Sequence, residues 1–304
     1  MEQATAFAPC HITGMFEIFD QLGDALHVGS KGAGVSLDLG AKTTVKVEKS
    51  PKHRLRVTIN NHTAKSAQVS RHVVKVFLSR FSEATKFEIT VEHAIKTPIG
   101  AGFGTSGAAA LSLALALNKA LGLGMSRVEA AKIAHVAEVE CRTGLGTVTA
   151  ETFGGLEIRT KPGAPGIGEI TQLPVSRNAI VACHVFGPLS TKKFLSDPET
   201  RSRINRFGGE SINRLIEAPT ILNFMKLSRQ FAEHVGLITE KVRIVLDAAD
   251  DAGVFCSMPM FGESAFTIAD GNDVKSILKL FRKSGPSGQT VVSKVNCEGA
   301  HLLQ

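Results

Sequence analysis

The sequence contains no tryptophan and no tyrosine, so its aromatic content rests on 17 phenylalanines in 304 residues. Base stacking would have to rest on Phe alone, which argues against a nucleic-acid platform. Cysteine is scarce and scattered. Cys10, Cys141, Cys183, Cys256 and Cys297 form no C-x-x-C pair, which excludes a disulfide framework and a zinc knuckle. Long apolar runs are missing as well: the alanine–leucine stretch at 108–117 is far too short to span a bilayer. The first residues lack the basic-then-apolar layout of a secretory signal. Together these absences predict a cytoplasmic protein without a membrane partner. Charge of one sign is not concentrated either. Thirty-five basic residues stand against 28 acidic ones, a net charge of +7, and no dense Lys/Arg run appears. That pattern reads as a solvated surface whose modest positive field suits anionic substrates.

What the chain does have is glycine in one telling place. Residues 87–95 (FEITVEHAI) alternate apolar and polar β-formers and predict a strand. Gly100, Gly102 and Gly104 follow at alternate positions, then Thr105, Ser106 and Gly107, then an alanine-rich helix. Strand, glycine loop and helix make a phosphate cradle, because glycine lets backbone approach an anion and a helix N-terminus presents free N–H groups. Gly102–Gly107 also satisfies G-x-G-x-x-G, but the dinucleotide reading needs a second strand after the helix. Residues 126–141 are helical instead. No Gly-Lys-Ser/Thr closes the loop, so a Walker A motif is absent too. A turn that merely lets a helix pack would explain the small residues, but not the hydroxyls of Thr105 and Ser106.

The stretch Pro98-x-Gly100-x-Gly102-Phe103-Gly104-x-Ser106-Gly107 resembles the P-x-G-x-G-[FL]-G-x-S-[AG] loop of the galactokinase–homoserine kinase–mevalonate kinase–phosphomevalonate kinase (GHMP) superfamily. The resemblance implies an α/β (α+β) two-domain kinase. Its ribosomal-protein-S5-domain-2-like half would cover residues 1–162, and a ferredoxin-like α+β half would cover 163–304. It further implies ATP and Mg²⁺ as cofactors. The phosphates would lie on Pro98, Gly100, Gly102, Phe103, Gly104, Thr105, Ser106 and Gly107.

Other segments extend the resemblance. In residues 4–18 an apolar strand is expected to break at Pro9 into a polar turn carrying His11, with Cys10 where the family usually has glycine. His11 is either structural or in contact with substrate. Residues 29–39 (GSKGAGVSLDL) suit a hairpin connection. Paired with HITG, they resemble the branch of the superfamily that phosphorylates the 4-hydroxyl of pantoate on the way to coenzyme A. That resemblance makes a small molecule, pantoate, the acceptor and points Ser30 at it. Residues 66–81 have helical periodicity and read as a packing helix.

Ser126 and Glu129 form a capping box at the start of a helix carrying His135, Glu138 and Arg142 on one face. A zinc site from His135, Glu138 and Cys141 has only thin spacing support. The family reading puts Mg²⁺ on Glu138 and Ser106 and the acceptor beside His135. Residues 143–155 resemble the segment that often places a catalytic aspartate before Gly154-Gly155. By register that position is Thr147, which cannot take a proton at neutral pH. Thr147 is therefore expected to position the hydroxyl, with Glu151 as the alternative base. Arg159 is the expected partner of the acceptor carboxylate. The proline–glycine run at 161–168 marks the expected domain boundary. Ser190 and Thr191 begin a segment read as a helix cap or a substrate contact. Leu222, Met225, Leu227 and Phe231 read as core or as the interface of a homodimer. Residues 255–268 resemble a reduced form of the family's C-terminal glycine motif and predict a loop supporting the phosphates. Two alternatives stay open: a GHMP kinase acting on homoserine or mevalonate, and a non-catalytic nucleotide-binding regulator.

Overall fold

A computed structural model describes residues 2–21, 23–82, 84–189, 197–285 and 287–304. Its spine is a pair of very long strands, β1 (Glu2–Phe19) and β2 (Gly29–Lys49), antiparallel along almost their whole length. The expected break at Pro9 does not occur. Register shifts at Pro9/Cys10 and Thr13/Met15 absorb the proline, which has no N–H to donate, and bend the strand while pairing continues. Residues 29–39 are likewise not a hairpin connection but the first half of β2. Its two halves bind different neighbours. The first pairs with β6 (Leu156–Lys161), and the second pairs with β5 (Phe87–Ile95). β3 (Arg54–Ile59), β4 (His62–Thr63), β7 (Glu169–Leu173) and β11 (His301–Leu303) complete an eight-stranded sheet.

One face of this sheet carries α2 (Thr105–Ala120), flanked by α1 (Gln68–Leu78), α3 (Arg127–Glu140) and α4 (Thr147–Phe153). Helix α2 is apolar all round, and nearly every residue in it is buried, as such a composition requires. Ser126 caps α3 through the expected box: its hydroxyl accepts the Glu129 N–H and the Glu129 carboxylate accepts the Ser126 N–H. A core of Ala and Val from β1 and β2 meets the Ala and Leu of α2.

A second sheet has the order β10 (Gln289–Lys294), β8 (Ala179–Pro188), β9 (Gly262–Asp270). Helices α5 (Pro198–Glu217) and α6 (Ile221–Val235) connect it to the back of β1, and α7 (Glu240–Asp251) and α8 (Val274–Ser284) cover it. Residues 161–168 turn the chain between β6 and β7 of the first sheet, so strands on both sides of residue 163 share that sheet. Met225, Leu227 and Phe231 of α6 enter the core, whereas Leu222 is exposed. Among the described residues, no helix is long and apolar enough to cross a membrane.

Candidate active site

The loop between β5 and α2 lies at the mouth of a cleft whose other walls come from β1, β2, the 143–147 turn and the loop before β9. Gly102 and Gly104 both adopt positive φ, at 86° and 61°. Side chains there would be strained, and a Cβ on Gly104 would also lie 2.5 Å from the Thr147 methyl. The loop is held from three directions. The His11 N–H donates to the Phe103 carbonyl at 3.0 Å, the Leu189 N–H to Gly100 at 3.2 Å, and the Ser264 hydroxyl to Ala101 at 3.1 Å. Gly262 packs so closely against Ala101 that a Cβ could not be added, and Met260 and Phe261 line the cleft. The loop at 255–268 thus lies against the glycine loop. Helix α2 begins at Thr105, and its first residues, Thr105 and Ser106, line the cleft, which places the free N–H groups and positive dipole end of the helix there.

Behind that entrance sits Glu138, 2% exposed, on α3. Its carboxylate accepts from Ser106 Oγ at 3.1 Å and from Thr143 Oγ1 at 2.7 Å. Burial pushes its pKa from the ordinary 4.5 to about 7, and the two hydroxyls pull the other way. Glu151, one turn after Thr147 on α4, is wholly buried beneath the loop, and among the described residues neither of its carboxyl oxygens has a hydrogen-bond partner. Its proton is held far more tightly than usual, first by burial and then by the charges of Glu138 and Glu157.

At the far end of the cleft a second charged group is buried. His11 Nε2 lies 3.1 Å from both oxygens of Glu157, which also pairs with the Arg159 guanidinium. The Thr13 hydroxyl meets His11 Nδ1 at 3.3 Å and lines the cleft. Arg159 stands behind Ser30 and Gly146, its Nε without a partner among the described residues. His135 is also buried, but its Nε2 is engaged by the Val28 carbonyl at 2.9 Å, where it braces the entry to β2. Burial lowers its proton affinity.

The structure therefore brings Ser30, Ser106, Thr147 and the loop glycines 100, 102 and 104 onto one cleft, with Thr105 and Phe103. Glu138, Arg159 and His11 lie immediately behind the wall. Pro98 is on the approach to the loop, and Gly107 faces Glu151 rather than the cleft. His135 is turned to the backbone of the β2 entry. Thr191 and Ser190 lie outside the described residues. Cys10 sits inside β1 with its thiol 3.1 Å from Thr97 Oγ1, and burial and the Glu151 charge keep it protonated. Glu157, Thr143 and Thr13 escaped the sequence, and Met260 and Phe261 were covered only as part of the 255–268 loop. Glu157 had one signal: it stands two residues before Arg159 in a predicted strand, with apolar Leu156 and Ile158 alternating with them, which places both on one face.

A glycine loop and helix N-terminus aimed into a hydroxyl-lined cleft, with a carboxylate behind the helix entrance, define a phosphoryl-transfer scaffold. Comparison with known proteins narrows that class. Residues 68–155 match the family described as GHMP kinases N terminal domain. The pantoate kinase of Methanocaldococcus jannaschii is 32% identical over 276 residues, covering 91% of this chain and 96% of its own. The pantoate kinase of Thermococcus kodakarensis is 32% identical over 280 residues, 90% of each chain. A solved structure titled as a phosphotransferase related to the CoA biosynthesis pathway superposes with a TM-score of 0.88 at 28% identity, covering 99% of this chain and 98% of that one. The chain belongs to the GHMP kinase family.

Proposed function

We propose that this protein transfers the γ-phosphoryl group of ATP to the 4-hydroxyl of pantoate. Phosphoryl transfer is carried by one observation, the Ser106–Glu138 pair set at the N-terminus of α2 beside the glycine loop. The choice of acceptor is carried by the relatives, named pantoate kinases, that match nine-tenths of the chain.

The residues present fit a magnesium ion. Ser106 Oγ and Glu138 Oε2 are hard oxygen donors 3.1 Å apart. Adjacent ligands of an octahedral Mg²⁺ at 2.0–2.1 Å are about 3 Å apart, and the ion keeps phosphate and water for its other positions. Bound there, Mg²⁺ would neutralise charge on the transferring phosphates. The chain's own residues do the rest. Backbone N–H groups of the loop and of the first turn of α2 hold the phosphate oxygens. Ser30 and Thr147 orient the acceptor hydroxyl toward them, and Arg159 holds the acceptor carboxylate from behind the wall.

Among the described residues, the cleft lining carries six hydroxyl side chains (Thr13, Ser30, Thr105, Ser106, Thr143, Thr147) and no ionisable one. A loose transition state asks mainly for alignment and charge stabilisation, which such a wall supplies without a strong base. The test is ADP release by the purified protein with each of several acceptors. Pantoate is expected to support turnover. Turnover with mevalonate or homoserine but not pantoate would replace the acceptor, and ATP binding without turnover on any acid would make the protein a regulator.

A further inference from the structure

We infer that Glu157 is a positioning residue that sets this kinase's preference for acceptors carrying a carboxylate. The inference deepens the proposed function, because it rests on a hydroxy acid being the acceptor.

Glu157 and Arg159 stand two residues apart on β6 and share one face. Both are buried, at 0% and 2% exposure. Strand β2 faces them with glycine at both paired positions, Gly34 opposite Glu157 and Gly32 opposite Arg159. Neither glycine could bear a side chain. A Cβ on Gly32 would fall 2.4 Å from Arg159 Nη2, and one on Gly34 would fall 2.4 Å from His11 Nε2. The glycines of GSKGAG therefore make room for a charged layer inside a sheet, which is a built feature rather than a loose turn.

Within that layer Glu157 is fully engaged. One oxygen serves both Arg159 and His11, and the other serves His11 alone. Both Glu157 oxygens are occupied inside the protein, and the pairing fixes the plane of the guanidinium. Arg159 is not fully engaged. Among the described residues its Nε has no partner, although it is buried. The cover over that N–H on the cleft side is Gly146, where a Cβ would lie 3.0 Å from Nε and 2.2 Å from the Ser30 hydroxyl. A buried charged donor left without an acceptor costs free energy, which a ligand's acceptor would relieve. The geometry leaves one charged N–H beneath Gly146, near Ser30 on the cleft wall. An incoming carboxylate supplies the missing acceptor, and Glu157 keeps the guanidinium from turning away to meet it elsewhere.

The experiment compares acid and amide. Steady-state kinetics of the wild type and Glu157→Gln are measured with pantoate and with its carboxamide, alongside the thermal unfolding of each protein. Glutamine keeps the shape of Glu157 and removes the charge that orients Arg159. The expected result is a roughly tenfold rise in KM for pantoate with kcat and KM for ATP little changed, and a roughly tenfold loss in the acid-over-amide ratio of kcat/KM. Equal losses on acid and amide, or an unchanged ratio, would overturn the inference and leave Glu157 a structural residue. Should Glu157→Gln fail to fold, Glu157→Asp is read instead. It keeps the charge but retracts it by one methylene, and the same loss of ratio is expected. The wild-type arm separates the two readings. Turnover of another hydroxy acid would replace pantoate and carry the same acid-against-amide test, and turnover of no acid would overturn both.

Discussion

Each hydroxyl on the cleft wall that has a traced partner is backed by an ionisable group one layer deeper. Ser106 and Thr143 rest on Glu138, and Thr13 rests on His11. Small neutral groups thus line the cleft while the ionisable ones are held behind them, where water does not screen charge. Removing the charge should hurt more than removing a hydroxyl. Glu138→Gln is expected to lower kcat by about 10²–10³-fold, the range seen when one strong transition-state contact is lost. Ser106→Ala is expected to lower it less. Both should shift the magnesium titration of the rate to higher concentration, and an unshifted titration would remove the pair as the metal site. Glu151 provides the contrast. Among the described residues it is buried, unpartnered and absent from the cleft lining, so Glu151→Gln is expected to keep turnover within about tenfold. Abolished turnover with pantoate binding intact would make Glu151 the base that Thr147 cannot be.

At the scale of elements, the glycine loop fits only because other segments leave space and supply partners. Gly104 combines φ of 61° with a Cβ position 2.5 Å from Thr147 and 2.9 Å from Glu151 Oε1. Gly104→Ala meets both obstacles. The left-handed conformation alone costs about 1–2 kcal/mol, and relief of the clash would displace α4 or the loop. The variant is expected to unfold at lower temperature and to show a raised KM for ATP, and wild-type values of both would contradict the packing described here. Elements whose signals are local were legible in the sequence. β5 spans the residues that alternate, α2 follows from its alanines and leucines, and the α3 cap follows from Ser126 and Glu129. Elements whose identity is decided by a neighbour were not. GSKGAG has the composition of a turn, yet it is strand, because Arg159 and His11 need the volume that side chains at Gly32 and Gly34 would fill. Pro9 suggests a break, yet the bulge beside it keeps β1 continuous. In the candidate site, the glycine loop, Ser30 and Thr147 were readable. Glu157 was not, since its role depends on three strands meeting.

At the scale of the whole molecule, the cleft concentrates buried acid. Glu138, Glu151 and Glu157 lie together beneath it, and Arg159 is buried among them. That arrangement sets the pH dependence of stability in the ligand-free protein. A carboxyl whose folded pKa is raised stabilises the fold fully below its unfolded value, and the contribution is lost as pH rises through the folded one. For Glu138 the window runs from 4.5 to about 7, which corresponds to roughly 3 kcal/mol at most. Glu151 extends the same slope to higher pH. The opposite limb comes from surface carboxylates. Arg243 and Arg229 draw Glu233 down to about 2, and Asp197 is lowered by Thr200, so their stabilisation disappears as acid protonates them. Ligand-free protein is therefore expected to be most stable on the mildly acidic side of neutrality. Urea unfolding at pH 5, 6.5 and 8 measures this directly: the midpoint should fall from pH 5 to pH 8, and Glu151→Gln should flatten the fall. Mg²⁺ with ATP should flatten it too, because binding favours the native state and places positive charge beside Glu138. A midpoint that rises toward pH 8 in the ligand-free wild type would mean that these carboxyls are not protonated in the fold. The charge of the cleft would then have to be balanced by something other than the buried protons on Glu138 and Glu151.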